Sequence, residues 1–312
     1  MKILVLGGAG YLADGIVDCL VRDGHAVTVY DNLLYQDYFL KEVEFIHGDI
    51  RDREKLSVLM PKYDTIVLLA GIVGDHACQV FPDKTAEINT DAPKWIFDNF
   101  HGKIFYMSTC SVFGKNDAVL NEDSDTLPLS LYASSKLEAE KHLLTTKPNA
   151  LCLRLGTVYG RSGSHSRPRL DLVGNVLAAK AVLGKPLTVF GRQQSRPLIN
   201  CLNVAEAVAF GLRNDISGMY VLSEDNYTLG EIAEKIAAMV PNAAVEYNDL
   251  NVEDMRNYKV DPSKFASHGW RPTFTFEDGI RSIFELVASG RIKDMDNPLY
   301  HNGKYLQKLS DI

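Results

Sequence analysis

A tyrosine and a lysine four residues apart form one group in this sequence that could perform chemistry. Tyr132 and Lys136 lie in a segment with the apolar spacing of an amphipathic helix, so their side chains share one helical face. A free phenol has a pKa of about 10 and is a weak base at neutral pH. A nearby ammonium group would stabilise the phenolate and lower that pKa. The pair therefore predicts a general base, the alternative being two solvated side chains.

A glycine-rich turn near the start of the chain predicts a dinucleotide site. Gly7 and Gly10 lie between an apolar run and a helical pattern, where glycines let backbone N–H groups approach a pyrophosphate. Asp31 follows the next apolar run, about 20 residues after Gly10. A carboxylate at that place bonds the adenosine ribose and repels a 2′-phosphate. Residues 32–34 contain no lysine or arginine, so the sequence favours NAD over NADP.

The elements that must position these groups alternate between strands and helices. Apolar runs predict strands at residues 3–6, 27–30, 43–47, 65–70, 104–108 and 151–155. Helical spacing predicts helices at residues 11–22, 84–100, 130–144, 172–183, 204–213 and 229–240. This order predicts an α/β fold, a Rossmann-type doubly wound parallel sheet with a smaller C-terminal α/β substrate-binding portion. We expect the NAD-binding domain over residues 1–160 and the substrate-binding portion mainly over 161–312, with some elements returning to the first domain.

Composition excludes several classes of protein. The 312 residues are 46% hydrophobic, which excludes a mainly disordered chain. The net charge of -7, from 33 basic and 40 acidic residues, argues against a nucleic-acid-binding protein or one that binds an anionic membrane. Five scattered cysteines without a CxxC pair indicate neither a disulfide framework nor a zinc site. The apolar run at residues 3–6 is too short for a signal peptide or a membrane span, so we expect a cytoplasmic protein without a metal.

Further segments occur in an order that resembles one family. They are residues 48–52 (GDIRD), 69–71 (LAG), 108–114 (STCSVFG), 132–136 (YASSK), 154–160 (RLGTVYG), 196–200 (RPLIN), 261–264 (DPSK) and 269–272 (GWRP). Together with the glycine turn they resemble the extended short-chain dehydrogenase/reductases, specifically the nucleotide-sugar epimerase/dehydratase branch. The resemblance covers nearly the whole chain.

The resemblance implies a role for individual residues. Thr109 would bond the reacting hydroxyl, Tyr132 would remove its proton, and Lys136 would hold the nicotinamide ribose and tune Tyr132. The implied cofactor-binding residues are Gly7, Gly10, Tyr11, Leu12, Asp31, Asn32, Asp49, Ile50, Leu69, Ala70, Gly71, Tyr132 and Lys136. The implied substrate-binding residues are Thr109, Cys110, Ser111, Thr157, Asn175, Arg169, Arg196 and Arg256. Arg196 and Arg256 would meet the substrate diphosphate, which suits the fork geometry of arginine.

Departures from the family pattern disfavour one of the family's activities and put one substrate contact in doubt. Cys110 and Ser111 stand where sugar 4,6-dehydratases carry Asp-Glu, so dehydratase activity is disfavoured. Cys110 is either a second acid/base or a small buried hydrophobe. Thr157 replaces a usual asparagine, which puts one sugar contact in doubt.

The arginine-rich loop at residues 161–169 is either a solvated surface loop or a lid that clamps phosphates. Asp75 and His76 could contact the sugar or cap a loop, and they are left out of the predicted site.

The sequence therefore predicts an NAD-dependent enzyme that acts on a nucleotide-activated sugar through a 4-keto intermediate, a nucleotide-sugar 4-epimerase. One alternative uses the same residues for net oxidation or reduction at C4. Another is a non-catalytic NAD-sensing protein on the same fold, which the presence of both Tyr132 and Lys136 disfavours. The family resemblance also implies a homodimer that pairs through the helices at residues 84–100 and 130–144.

Overall fold

The computed structural model of the chain describes residues 1–248, 254 and 256–310. Its strands are β1 (Lys2–Leu6), β2 (Ala26–Asp31), β3 (Glu44–His47), β4 (Thr65–Leu68), β5 (Lys103–Thr109), β6 (Lys115–Leu120), β7 (Leu151–Leu155), β8 (Thr157–Tyr159), β9 (Leu187–Phe190), β10 (Ser195–Asn200), β11 (Gly218–Leu222), β12 (Asp225–Thr228), β13 (Val245–Asn248) and β14 (Asn257–Val260). Its helices are α1 (Ala13–Arg22), α2 (Arg53–Leu59), α3 (Asp75–Val80), α4 (Pro82–Ala86), α5 (Ala92–Asn99), α6 (Leu131–Thr146), α7 (Val173–Val182), α8 (Cys201–Arg213), α9 (Leu229–Ala237), α10 (Ser263–Ala266), α11 (Phe276–Ala288) and α12 (Asn302–Ser310). No helix within these described ranges is long and apolar enough to cross a membrane.

Seven strands form one parallel sheet in the order β3-β2-β1-β4-β5-β7-β11. The strand order reverses between β1 and β4, so the loops that leave the carboxyl ends of these two strands diverge and open a crevice. The predicted Rossmann-type doubly wound sheet is thereby confirmed. Its edge strand β11 is not among the strands predicted from the sequence.

Alternate residues of the strands point to opposite faces of the sheet and build two separate cores. Ile3 and Val5 pack with α1 and α8 on one face. Leu4 and Leu6 pack with α2, α5 and α6 on the other. Because helices cover both faces, the central strands β1 and β4 are near-continuous apolar runs rather than alternating ones. The buried strands fix the positions of the loops that follow their carboxyl ends.

Three smaller sheets accompany the main sheet, and most of their strands follow β7 in the chain. β8, β10 and β12 form a three-stranded sheet, β9 pairs with β13, and β6 pairs with β14. A third core lies between α7, α9 and α11 and includes Leu177, Ile232 and Ile280. Helix α12 returns to pack against α3 near the crevice. A Cβ at Gly303 would lie 2.2 Å from Nδ1 of His76, so a side chain at this position would force the His76 ring to move.

The predicted helix at residues 84–100 is interrupted. A π-helical turn, Glu87–Asp91, separates α4 from α5, and the Ala92 amide donates to the Glu87 carbonyl five residues back. Pro93 follows immediately and has no amide proton with which to continue an α-helical pattern. The turn directs Asn89, which is 1% exposed, into the protein. A π-turn of this kind often marks a functional site.

Candidate active site

A cavity of about 910 Å³ opens where the strands of the main sheet end. Most of the predicted site residues line it: Gly7, Gly10, Tyr11, Leu12, Asp31, Asn32, Asp49, Ile50, Leu69, Ala70, Gly71, Thr109, Ser111, Tyr132, Lys136, Thr157, Arg169, Arg196 and Arg256. Two predicted residues, Cys110 and Asn175, are not part of its wall. The fold thus brings the cofactor and substrate candidates to one continuous space.

The glycine turn presents the backbone amides at the start of α1 to this cavity. Gly7 has a φ of +83°, and a Cβ there would lie 2.4 Å from the Ala70 amide nitrogen, so the turn requires glycine. At Gly10 an added Cβ would meet only the Gly7 carbonyl oxygen, at 3.2 Å, so this residue borders open space. Helix α1 begins after Leu12, which provides no side-chain cap. These amides fit the pyrophosphate of a dinucleotide, because the first N–H groups of a helix favour an anion.

Asp31 ends β2 with its carboxylate held in place. Its Oδ2 atom accepts a hydrogen bond from the Ala9 amide at 3.0 Å, and its Oδ1 atom accepts one from Leu33 at 2.7 Å. Burial raises the pKa of Asp31, and these backbone hydrogen bonds oppose the rise. Each carboxylate oxygen has a lone pair left to accept a bond from a ribose hydroxyl.

The three predicted catalytic residues come from one strand end and one helix start. Thr109 is the last residue of β5, and its hydroxyl oxygen accepts a hydrogen bond from the Ser111 amide at 3.1 Å. Ser130 caps α6 by accepting a bond from the Ala133 amide at 3.2 Å, which places Tyr132 in the first helical turn. Lys136 follows one turn later on the same face. Strand and helix together therefore place a hydroxyl, a phenol and an ammonium group on one wall.

The expected lowering of the Tyr132 pKa is not met in this structure. Burial raises the pKa of the Tyr132 phenol, and the nearby Thr109 hydroxyl and Arg169 charge only partly oppose the rise. Burial also lowers the pKa of Lys136 to about 8. The Lys136 ammonium lies 4.0 Å from the centre of the Tyr106 ring, so it is stabilised by an aromatic face. Desolvation thus outweighs the stabilising contacts at the phenol, which come from Thr109 and Arg169.

A buried polar network of Ser108, Glu140 and Arg154 lies next to the elements that carry Thr109, Tyr132 and Lys136. The Ser108 hydroxyl donates to Oε2 of Glu140 at 2.6 Å. Arg154 donates to the same carboxylate from Nη2 at 2.6 Å and from Nε at 3.1 Å. The network joins β5, α6 and β7, the three elements that carry or border the catalytic candidates.

Two arginines predicted to meet a diphosphate converge on one carboxylate. Nη2 of Arg196 lies 3.0 Å from Oδ2 of Asp254, and Nη2 of Arg256 lies 2.6 Å from the same oxygen. Arg256 also donates to the Ser111 hydroxyl at 3.2 Å. Burial acts to raise the pKa of Asp254, but the two guanidinium groups outweigh it and hold the pKa well below its ordinary value. The Arg196 and Arg256 side chains thus meet on one side of the cavity.

Cys110 does not occupy a position where it could act on a substrate. Its side chain is 0% exposed, and its Sγ atom donates to the Arg154 carbonyl at 3.2 Å, away from the cavity. Burial raises the pKa of this thiol, which keeps it protonated. The interpretation of Cys110 as a second acid/base is therefore wrong for this structure, and the residue packs as a small hydrophobe.

Asn175 likewise holds the protein rather than lining the cavity. It is 0% exposed, and its Oδ1 atom accepts a bond from the Gly160 amide at 2.7 Å. Its Nδ2 atom donates to the Arg169 carbonyl at 2.9 Å, so it ties together the two ends of the arginine-rich loop. The expected contact of Asn175 with a substrate needs an exposed side chain, which this position does not offer.

Several residues on the cavity wall are absent from the predicted site. Asp75 and His76, the residues left out above, both line it, as do Asp254, Arg167 and residues 301–304. Asp75 begins the helix that follows the buried strand β4, and this position could have indicated it from the sequence. No local pattern indicates that residues 301–304 return to the site. Asn89 holds Ile72, a residue of the cavity wall, in place. Its Nδ2 atom donates to the Ile72 carbonyl at 2.9 Å and its Oδ1 atom accepts from the Ile72 amide at 2.9 Å.

Comparisons with known proteins identify relatives of this chain. A model of the NAD-dependent epimerase/dehydratase family matches residues 3–223. A UDP-N-acetyl-alpha-D-glucosaminuronate decarboxylase from Bacillus cytotoxicus is 24% identical over 315 residues, which cover 91% of this chain and 97% of that protein. A UDP-glucose 4-epimerase from Halalkalibacterium halodurans is 30% identical over 210 residues, covering 61% and 62%. A solved UDP-glucose 4-epimerase from Thermus thermophilus, in complex with NAD, covers 92% of this chain and 99% of its own, with 25% identity and a TM-score of 0.79.

The family match extends over more than two-thirds of the chain. It includes the glycine turn, Asp31, Thr109, Tyr132 and Lys136. The glycine turn and the held Asp31 carboxylate fit the pyrophosphate and ribose of a dinucleotide. The chain therefore belongs to the NAD-dependent epimerase/dehydratase family and is an NAD-dependent enzyme of the extended short-chain dehydrogenase/reductase type.

Proposed function

We propose that this enzyme is a nucleotide-sugar 4-epimerase, which oxidises the C4 hydroxyl of its substrate to a ketone and reduces that ketone from the opposite face. The observation that carries the proposal is the placement of Thr109, Tyr132 and Lys136 on one wall of the cavity that holds the dinucleotide cradle. Relatives named as UDP-glucose 4-epimerases support the choice of reaction.

Each of these residues has one task in the proposed reaction. The Thr109 hydroxyl hydrogen-bonds the sugar C4 hydroxyl and orients it. Tyr132 takes the proton of that hydroxyl as the carbonyl forms and gives a proton back when the ketone is reduced. Lys136 supplies a positive charge that favours the phenolate form of Tyr132. Bound NAD would supply hydride acceptance and return at C4, which side chains cannot provide.

Two halves of the chain divide the ligands in this proposal. Residues 1–160 hold the cofactor, with the glycine turn on the pyrophosphate and Asp31 on the adenosine ribose. Residues 161–312 supply most of the substrate contacts. Arg196 and Arg256 face the diphosphate of the nucleotide, for which they exchange part of their present contact with Asp254.

We also propose that the protein is a homodimer that pairs through α5 and α6. The two helices are already joined to each other by the Lys94–Glu138 and Asp98–His142 contacts, so they present one combined surface. Sedimentation at micromolar concentration is expected to give twice the mass of 34.7 kDa, and a monomer would contradict this proposal.

The test is to incubate the protein with NAD and a panel of nucleotide hexoses, including hexuronates. Proton NMR follows the configuration at C4 while absorbance follows net NADH. We expect a C4 epimer to form without accumulation of NADH. An oxidised sugar with an equal amount of NADH would replace epimerisation with net dehydrogenation, and a product that has lost CO₂ would replace it with decarboxylation.

A further inference from the structure

Two segments meet across the cofactor side of the cavity, and we call them together the strap: residues 160–172 and 299–306. The first segment is fixed to the glycine turn and the start of α1. The Ser162 hydroxyl accepts a hydrogen bond from the Gly15 amide at 3.0 Å, and Tyr11 donates to the Gly160 carbonyl. The Asp14 carboxylate accepts bonds from the amides of residues 165 and 166 at 2.9 and 2.8 Å. This segment is therefore docked on the protein and is not the solvated loop that the sequence allowed.

The second segment of the strap is fixed to the opposite side of the cavity. The Asn302 side chain donates to the Val73 carbonyl at 2.9 Å, in the loop that follows β4. Leu306 is 1% exposed and packs with Ile72 and Cys78. Residues 301–304 line the cavity directly. The strap thus begins beside the glycine turn and ends beside the loop that leads into α3.

Arg167 joins the two segments to each other. It is 7% exposed, and its two terminal nitrogens donate to the Leu299 carbonyl and to Oδ1 of Asn302. Its guanidinium carbon lies 4.5 Å from the centre of the Tyr35 ring, and Tyr35 belongs to the loop that follows Asp31. Asp171 completes the junction by accepting a bond from the Asn302 amide at 2.9 Å.

The charge of Arg167 is unusually placed. Within the described ranges no carboxylate lies within 4.0 Å of its guanidinium group, whereas the neighbouring Arg169 is paired with Asp171 at 2.6 Å. A buried cation without a close counter-ion is costly, and burial lowers the pKa of Arg167 to about 10. Asp171 acts on Arg167 only from beyond this distance, and Arg167 lines the same cavity as the glycine turn, so a bound dinucleotide would bring further negative charge to it.

We propose that Arg167 locks the two segments of the strap together, and that opening of this junction limits the rate at which the dinucleotide leaves the cleft. Release of the dinucleotide requires one of the two segments to lift, which breaks both Arg167 hydrogen bonds and its stacking on Tyr35. This inference rests on the proposed function, because net dehydrogenation would require NADH to leave at every turnover. The NMR assay tests the reaction and the release assay below tests the strap, so their failures are distinguishable.

The experiment compares Arg167→Ala with Arg161→Ala, a matched control from the same loop whose side chain bonds Gly163 and Ser164. Each protein is loaded with labelled NAD and chased with excess unlabelled NAD, and the retained label is measured over time. We expect wild type and Arg161→Ala to release NAD slowly, and Arg167→Ala to release it about 10- to 100-fold faster. Melting temperatures with saturating NAD report separately on the fold.

A second variant protects the test against misfolding of Arg167→Ala. Tyr35→Leu removes the stacking partner without removing the buried charge, and it is expected to speed release in the same direction by a smaller factor. Release from both variants at the wild-type rate would overturn the proposal, even if their melting temperatures fall. Exchange of NAD from the wild-type protein within one turnover time would also overturn it.

Discussion

Glu140 and Arg154 form an ion pair inside the protein, with Nη2 of the arginine 2.6 Å from Oε1 of the glutamate and side chains only 5% and 1% exposed, arginine first. Glu140 lies one helical turn after Lys136 on α6, and it also accepts a hydrogen bond from the Ser108 hydroxyl. The pair thus fixes α6 against β5 and β7 at the level of the proposed catalytic residues. Because both side chains are buried, water cannot stabilise either charge if its partner is removed.

Glu140→Gln is therefore expected to destabilise the protein strongly. The substitution leaves the Arg154 guanidinium buried without a counter-charge, which costs about 3–5 kcal/mol of the free energy of unfolding. Urea unfolding measures this loss. The control is Glu138→Gln on the same helix, where the carboxylate is 61% exposed and pairs with Lys94; its loss is expected to stay below about 1 kcal/mol. Equal losses in the two variants would contradict the structural role given to the pair.

Tyr132→Phe is expected to separate catalysis from cofactor binding. The variant lacks the phenol that exchanges the C4 proton, so turnover should fall by about 10²–10⁴-fold. The cofactor cradle is built mainly from other residues, so NAD affinity should change by no more than a few fold. Turnover is measured by NMR of the sugar and affinity by calorimetry, with Tyr38→Phe, a 45% exposed tyrosine, as the control. A fully active Tyr132→Phe would refute the proposed mechanism.

Lys136 should make stability depend on pH in the alkaline range. Burial lowers its pKa from 10.5 to about 8, so between these values the unfolded chain binds a proton that the folded chain does not. Stability contributed by this residue therefore rises with pH across that window, by about 3 kcal/mol in total. The measurement is urea unfolding of wild type and Lys136→Met without NAD from pH 7 to 10.5. The free energy of unfolding of wild type should rise with pH relative to that of Lys136→Met. A difference between the two proteins that stays constant, or a fall of wild type relative to the variant, would be inconsistent with a buried Lys136.

Arg196→Ala should weaken substrate binding more than it slows chemistry. Its guanidinium group faces the proposed diphosphate site, so its loss should raise KM by about 10- to 100-fold with a much smaller change in kcat. Steady-state kinetics with the substrate identified by NMR measures the two constants. Arg192→Ala is the matched control, because Arg192 lies nearby with a 46% exposed side chain that pairs with Glu234. A KM change of equal size in both variants would show that general charge, not this position, matters.

The sequence predicts the cofactor half of the site better than the substrate half. Gly7, Asp31 and their flanking strands follow one another over a short stretch of chain, so local patterns carry the whole signal. Residues 301–304 reach the cavity only through the packing of α12 on α3, which no local pattern encodes. Cys110 illustrates the opposite error, since its neighbours Thr109 and Ser111 face the cavity while its own side chain turns toward the Arg154 carbonyl.

Proton affinities are likewise beyond the reach of motif reading. The four-residue spacing of Tyr132 and Lys136 is present as expected, but spacing alone does not reveal how much water each group loses. Burial raises the pKa of the phenol and lowers that of the amine, so desolvation dominates both. Three-dimensional packing must be known before such a pair can be given an ionisation state.

The edge position of β11 also bears on how this chain can be divided. Residues 218–222 cover the outer side of β7, whose five residues are all buried. A fragment that ends near residue 160 would contain every other strand of the main sheet, but β7 would become a bare apolar edge with unpaired N–H and C=O groups. Such an edge is a template for pairing with other chains, so the isolated fragment would be prone to aggregate. Strand β11 therefore protects the edge of β7, and residues 1–160 contain no strand that could replace it.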